Sequence, residues 1–118
     1  MIGVIVALVL AVASPPKAYL DTASARLPLS VVSWCWGAHC GAPFTASAKT
    51  AVLDRGALVR VDFAFAPTSV HLFVAGTPTR ATRSGHEISW PATRGGGVSI
   101  RVTGSGGWVN YVARIRLR

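Results

Sequence analysis

The sequence predicts an all-β sandwich of about seven short strands, preceded by an N-terminal hydrophobic segment. Two observations carry this prediction. From Pro28 onward, apolar side chains recur with a period of two, which places alternate residues on one face of a strand. Turns that contain Gly or Pro separate these runs at short intervals, and no stretch after Pro28 has the periodicity of an amphipathic helix.

The N-terminal segment is expected to direct export. Residues 2–13 form an apolar run that suits a signal peptide and is shorter than the roughly 20 residues needed to span a bilayer. Small residues at Ala11 and Ala13 favour cleavage before Ser14. Residues 1–13 are therefore predicted to be a signal peptide or a membrane anchor. A buried core element is the alternative, which the following Pro15-Pro16 disfavours.

The region after the apolar run is predicted to be a flexible tether. Residues 14–27 mix Pro, Ala, Ser and Thr with little periodicity. They include a second match to the cleavage pattern, Ala23-Ser24-Ala25, far from the apolar run. The folded domain is then expected to occupy residues 28–118.

The strands are predicted from alternation and from the turns between them. The clearest run is Ala57–Phe65, where Val59, Val61 and Phe63 share the inner face. Thr79–Thr82 is polar and is expected at a sheet edge. The complete set of predicted strands is Leu29–Trp36, Phe44–Val52, Ala57–Phe65, Ser69–Ala75, Thr79–Thr82, Glu87–Trp90, Val98–Thr103 and Trp108–Arg118.

One cysteine, Cys35, lies near the end of the first strand of the predicted domain, and the other, Cys40, lies in the turn that follows it. In that strand Val32, Trp34 and Trp36 form the better candidate for a buried face, because aromatic residues bury the largest apolar areas. A disulfide between Cys35 and Cys40 would close the turn after the strand and stabilise it by about 2 kcal/mol. A disulfide in a chain with an export segment predicts a secreted or cell-envelope location.

Free thiols and a metal site are the alternatives for the same stretch. Cys35, His39 and Cys40 provide three possible ligands, and His71 or His86 a fourth. Structural zinc sites usually show two closely spaced pairs of ligands, and this sequence has no such pattern. The sequence therefore predicts the disulfide, without a metal or other cofactor.

Three short motifs resemble those of small exported bacterial β-sandwich proteins of uncharacterised role. They are Ser-Trp-Cys-Trp-Gly at 33–37, Cys-Gly-Ala-Pro at 40–43 and Gly-Trp-Val-x-Tyr-Val at 107–112. The resemblance covers residues 30–118 and brings no catalytic residues with it. The strand pattern itself favours an immunoglobulin-like architecture. The long Cys–Cys spacing of antibody domains is absent, because Cys35 and Cys40 are too close to bridge two sheets.

The charge balance predicts attraction to polyanions. Twelve basic residues, ten of them Arg, face only four acidic ones, and the formal net charge is +8. The sequence contains no recognisable nucleic-acid module, so no specific nucleic-acid partner is expected. An acidic protein or an anionic polymer of the envelope is the expected partner, and contact with a membrane is expected only through the N-terminal segment.

Signals for catalysis are few. Asp54, Asp62 and Glu87 are the only acidic residues of the predicted domain, and nothing in their spacing brings two of them together. The sequence lacks the Gly-x-Ser-x-Gly motif of many hydrolases, and Ser105 lies in a Gly-rich stretch typical of a turn. No catalytic residue is therefore assigned.

The basic residues of the last strand form the candidate binding site. Alternation places Arg114, Arg116 and Arg118 on one face, and Arg101 of the preceding strand points to the same side. Such a set can bind anions; the alternative is a solvated face that prevents aggregation. The sequence thus predicts a non-enzymatic binding or structural domain of the envelope. A small metal-dependent or thiol enzyme that uses Cys35, His39 and Cys40 is the alternative.

Overall fold

The computed structural model of the protein describes residues 14–42 and 47–118. These residues form two β-sheets and contain no helix, so the all-β prediction is confirmed. Accordingly, no helix within them is long and apolar enough to cross a membrane. The predicted signal peptide or anchor at residues 1–13 lies outside the described residues.

Twelve strands occur in the described part of the chain, where the sequence predicts about seven. The additional strands are three or four residues long and escape recognition by alternation, which needs a longer run. In chain order the strands are β1 (Ala18–Asp21), β2 (Arg26–Pro28), β3 (Ser30–Trp36), β4 (His39–Gly41), β5 (Thr50–Leu53), β6 (Leu58–Phe63), β7 (Ser69–Val74), β8 (Thr77–Thr79), β9 (Thr82–Ser84), β10 (Glu87–Pro91), β11 (Gly96–Gly104) and β12 (Gly107–Leu117).

The strands divide into a five-stranded first sheet and a seven-stranded second sheet. The first sheet has the order β2-β1-β6-β10-β9, and the second has the order β4-β3-β12-β11-β7-β8. The remaining strand, β5, pairs in parallel with the second half of β12, beyond the part that pairs with β3. The long strand β12 therefore holds three other strands in the second sheet.

The inner faces of the two sheets share one hydrophobic core. Val59, Val61 and Phe63 of β6 face inward as predicted. The ring centroid of Phe63 lies 5.9 Å from that of Tyr111 in the opposite sheet. Tyr111 is fully buried, and its hydroxyl donates a hydrogen bond to the carbonyl oxygen of Pro16 at 2.7 Å. Burial raises the pKa of this phenol, which keeps the donor protonated.

The expectation of a flexible tether over residues 14–27 is wrong from Ala18 onward. Strand β1 lies between β2 and β6 in the first sheet, and Leu20 is 0% exposed. The four-residue strand is too short for its alternation to be recognised after Pro15-Pro16. The folded part of the chain therefore begins well before residue 28, and Ala23-Ser24-Ala25 lies in the turn between two paired strands.

The first predicted strand is present, but one of its side chains faces the other way. Trp34 is buried, and Trp36 is half-buried against Phe65, with 4.7 Å between the ring centroids. Val32, predicted to be inside, is 38% exposed. The pairing with β12 shifts by one residue at Asn110/Tyr111, a β-bulge that turns Val32 outward.

The predicted edge strand Thr79–Thr82 is divided between the sheets. Thr79 ends β8 at one edge of the second sheet, and Thr82 begins β9 at one edge of the first. The predicted strand Phe44–Val52 is observed from Thr50 to Leu53, and its first residues lie outside the described part.

Candidate anion-binding face

The outer face of the second sheet carries the predicted site residues. In the register of the sheet, Arg101 of β11 is opposite Asn110 of β12, and Arg114 is opposite Gly97. Arg101, Arg114 and Arg116 are exposed, while the alternating residues Val109, Ala113 and Ile115 are buried. Alternation therefore placed these three arginines on the correct side of the sheet.

Three of the four carboxylate side chains of the protein are paired with arginines of the first sheet. Asp21 and Asp62 both contact Arg26, at 2.7 and 3.6 Å. Glu87 lies 3.8 Å from Arg60. These three acidic residues belong to β1, β6 and β10, so the first sheet carries charges of both signs.

Arg118 differs from the other three predicted site residues. Its Nε donates to Asp54 Oδ1 at 2.9 Å, so its charge is balanced within the domain. Arg101, Arg114 and Arg116 form no salt bridge in the described part of the chain. We call these three residues, on the outer face of the second sheet, the cationic face.

An aromatic residue holds one of these arginines in place. The Cζ atom of Arg101 lies 4.7 Å from the centroid of the Trp108 ring, a cation–π distance. Beside this pair, the Asn110 amide donates to the Ser33 hydroxyl at 2.9 Å. Strand alternation alone does not reveal this contact, because it does not give the register between neighbouring strands.

The predicted disulfide is present. Cys35 and Cys40 are opposite each other in the β3–β4 hairpin, with their sulfur atoms 2.04 Å apart. In the pairing of β3 with β12, Cys35 is opposite Trp108, so the disulfide lies on the same side of the sheet as the cationic face. Cysteines bonded to each other offer no thiolate for nucleophilic attack or for binding a metal.

Of the three histidines proposed for a metal site, only His39 lies in the same hairpin as the cysteines. His39 is in β4, His71 is on β7, and His86 lies in the turn before β10. No group of three or more His, Cys, Asp or Glu residues that could hold a metal ion is found within residues 14–42 and 47–118.

Removal of the disulfide is expected to destabilise the hairpin without unfolding the domain. The double substitution Cys35→Ser/Cys40→Ser should lower the free energy of unfolding by about 2 kcal/mol, because the open chain gains conformational entropy. Urea denaturation measures the loss, and the wild-type protein under reducing conditions serves as the matched control. Equal midpoints for the oxidised wild type and the variant would show that the hairpin does not depend on the bond.

The fold and the face define a small two-sheet β domain with one cationic sheet surface. Comparisons of this chain with models of protein families, with curated proteins and with solved structures find no match.

Proposed function

We propose that the protein is a non-enzymatic, exported domain that acts at the cell envelope by binding an anionic partner through the cationic face. The observation that carries this proposal is the separation of charge. All four carboxylate side chains pair with Arg26, Arg60 and Arg118, and none of them contacts Arg101, Arg114 or Arg116. The attraction of these three arginines for an anion is therefore not cancelled by a neighbouring side chain.

The strand order supports an immunoglobulin-like fold for this domain. In the usual lettering of such sandwiches, B, E and D are neighbours in one sheet and C, F and G form the other. Here β6, β10 and β9 take the positions of B, E and D, while β7, β11 and β12 take those of C, F and G. Strand β8 then corresponds to C′ of the variable type, and β1 to β5 precede this unit in the chain.

The disulfide and the position of β1 support export. A closed Cys35–Cys40 bond suits an oxidising compartment. The chain is already bound to the first sheet at Lys17, whose carbonyl accepts a hydrogen bond from the Ala64 amide at 3.1 Å. Cleavage before Ser14 would leave every described strand intact, whereas cleavage after Ala25 would remove β1.

The cationic face is tested by retention on a polyanion. The double substitution Arg114→Gln/Arg116→Gln should elute from immobilised polyacrylate at a clearly lower salt concentration than the wild type. The reason is that two adjacent cations of the contact are lost, and each ionic contact adds to the salt dependence. Glutamine keeps the aliphatic stem and changes chiefly the charge.

The matched control removes the same number of charges from the first sheet and from the residue just before its strand β1. Lys17→Gln/Arg60→Gln takes two positive charges from the formal net charge of +8, as the test variant does. If both variants elute at the same salt concentration, retention follows net charge alone, and the proposal of a binding face fails. Earlier elution of the Arg114/Arg116 variant alone supports it.

A further inference from the structure

Aromatic side chains flank the central arginine of the cationic face. Phe73 of β7 is 37% exposed, one of the few large apolar side chains left open to solvent in the described residues. In the register of the sheet, His71 is opposite Arg101, and Phe73 is two residues further along the same strand. Phe73 is therefore a diagonal neighbour of Arg101, at roughly 7–8 Å between backbone positions.

Trp108 is the diagonal neighbour on the other side. It lies opposite Thr103, two residues from Arg101, on the strand that borders β11 across from β7. Trp108, Arg101 and Phe73 thus form a line across three adjacent strands, with the cation in the middle. The stacking of Arg101 on Trp108 fixes the position of the guanidinium group along this line.

Small polar side chains occupy neighbouring positions on the same face of the sheet. Hydroxyl and amide side chains point outward from the same strands and from β3: Ser33, Ser69, Ser99, Thr103 and Asn110. Each can donate and accept hydrogen bonds. The apolar rings are therefore separated by polar groups and do not form the continuous apolar patch that a bilayer would favour.

From this arrangement we infer that the anionic partner is an acidic polysaccharide bearing carboxylate groups. The inference rests on the proposed function and names the chemistry of its ligand. A sugar ring has an apolar C–H surface that can pack on Phe73 and on the exposed part of Trp108. Its hydroxyl groups match the surrounding Ser, Thr and Asn side chains. A carboxylate on the same chain matches the planar fork of Arg101.

A single-stranded nucleic acid fits the same line less well. Successive bases stack on aromatic rings that present a free face. The Trp108 ring has Arg101 at cation–π distance, so Phe73 is the one ring of this line that has no stacked neighbour within the described residues. A nucleic acid would also make little use of the many hydroxyl groups around the rings.

The test compares polymers that share a charge but differ in their rings. Binding of the full protein to polygalacturonate, to polyacrylate and to poly(dT) is measured at physiological ionic strength. Phe73→Leu and Trp108→Ala should each weaken binding to polygalacturonate by about tenfold, the loss typical of an aromatic contact at the centre of an interface. Binding to polyacrylate, which has carboxylates and no rings, should change by less than twofold.

The protein offers a matched control on its other sheet. Tyr19 also carries a stacked arginine, with Arg26 Cζ 4.4 Å from its ring centroid, but it lies in β1 of the first sheet. Tyr19→Ala should leave binding to all three polymers unchanged. Urea denaturation of each variant shows whether the domain is still folded. Leucine is chosen at position 73 because it keeps most of the apolar volume of phenylalanine while removing the ring.

The outcomes separate this inference from the proposed function. If Arg114→Gln/Arg116→Gln weakens binding but both aromatic variants bind polygalacturonate as the wild type does, the polysaccharide inference fails and the cationic face stands. If the arginine variant binds every polymer as the wild type does, the proposed function itself fails. Tighter binding of poly(dT) than of polygalacturonate, lost in the aromatic variants, would assign a single-stranded nucleic acid instead.

Discussion

Replacement of Leu20 by alanine is expected to lower the free energy of unfolding by about 3 kcal/mol. Leu20 is the fully buried side chain of β1, a strand that lies between β2 and β6. Alanine removes three carbon atoms from a closely packed site, and the neighbouring strands cannot move enough to fill the space. Urea denaturation followed by tryptophan fluorescence measures the change.

Leu58 provides the matched control for this substitution. It lies on β6, the strand that pairs with β1, and is 47% exposed. Leu58→Ala should change the free energy of unfolding by less than about 1 kcal/mol, because little buried area is lost. A small effect at both positions would mean that residues 18–21 behave as a tether in solution and not as part of the first sheet.

Substitution of Gly107 by alanine is expected to cost about 3 kcal/mol or more. Gly107 begins β12 with φ of +150°, a conformation that residues with a side chain rarely adopt. A Cβ atom at this position would lie 1.9 Å from the carbonyl oxygen of Cys35 on the neighbouring strand. The backbone of β3 or β12 would have to move, and the pairing that starts the longest strand of the second sheet would be disturbed.

Gly97 is the control in the neighbouring strand. A Cβ atom added there would meet no atom within 4 Å. Gly97→Ala should therefore lower the free energy of unfolding by only about 0.5 kcal/mol or less, with a correspondingly small shift of the melting temperature. Thermal denaturation of the two variants side by side tests the prediction, and similar melting temperatures would contradict the close approach at Gly107.

Much of this architecture could be predicted from the longer strands. In β6, β11 and β12, alternation continues over six or more residues and correctly separates the buried side chains from the exposed ones. Short strands lack this signal, and β1 is preceded by two prolines that suggest a break. The exposure of Val32 depends on a bulge opposite Asn110 and Tyr111, which no local pattern in β3 indicates.

The candidate site was predictable only within single strands. Alternation along β12 placed Arg114 and Arg116 outside, but the pairing of Arg118 with Asp54 joins residues 64 positions apart. The line of Trp108, Arg101 and Phe73 depends on the register of three strands that are not all consecutive in the chain. Such registers are set by the packing of the whole core and are not encoded in any single segment.

The place of β12 in the second sheet has a consequence for the timing of folding. Strands β3 and β5 are synthesised early, but their partner in the sheet is β12, and the contact between Ser33 and Asn110 spans 77 residues. During synthesis these two strands remain without that partner until β12 emerges. For the exported protein that we propose, this delay would keep the chain unfolded while it is being made, as a translocation channel for unfolded chains requires.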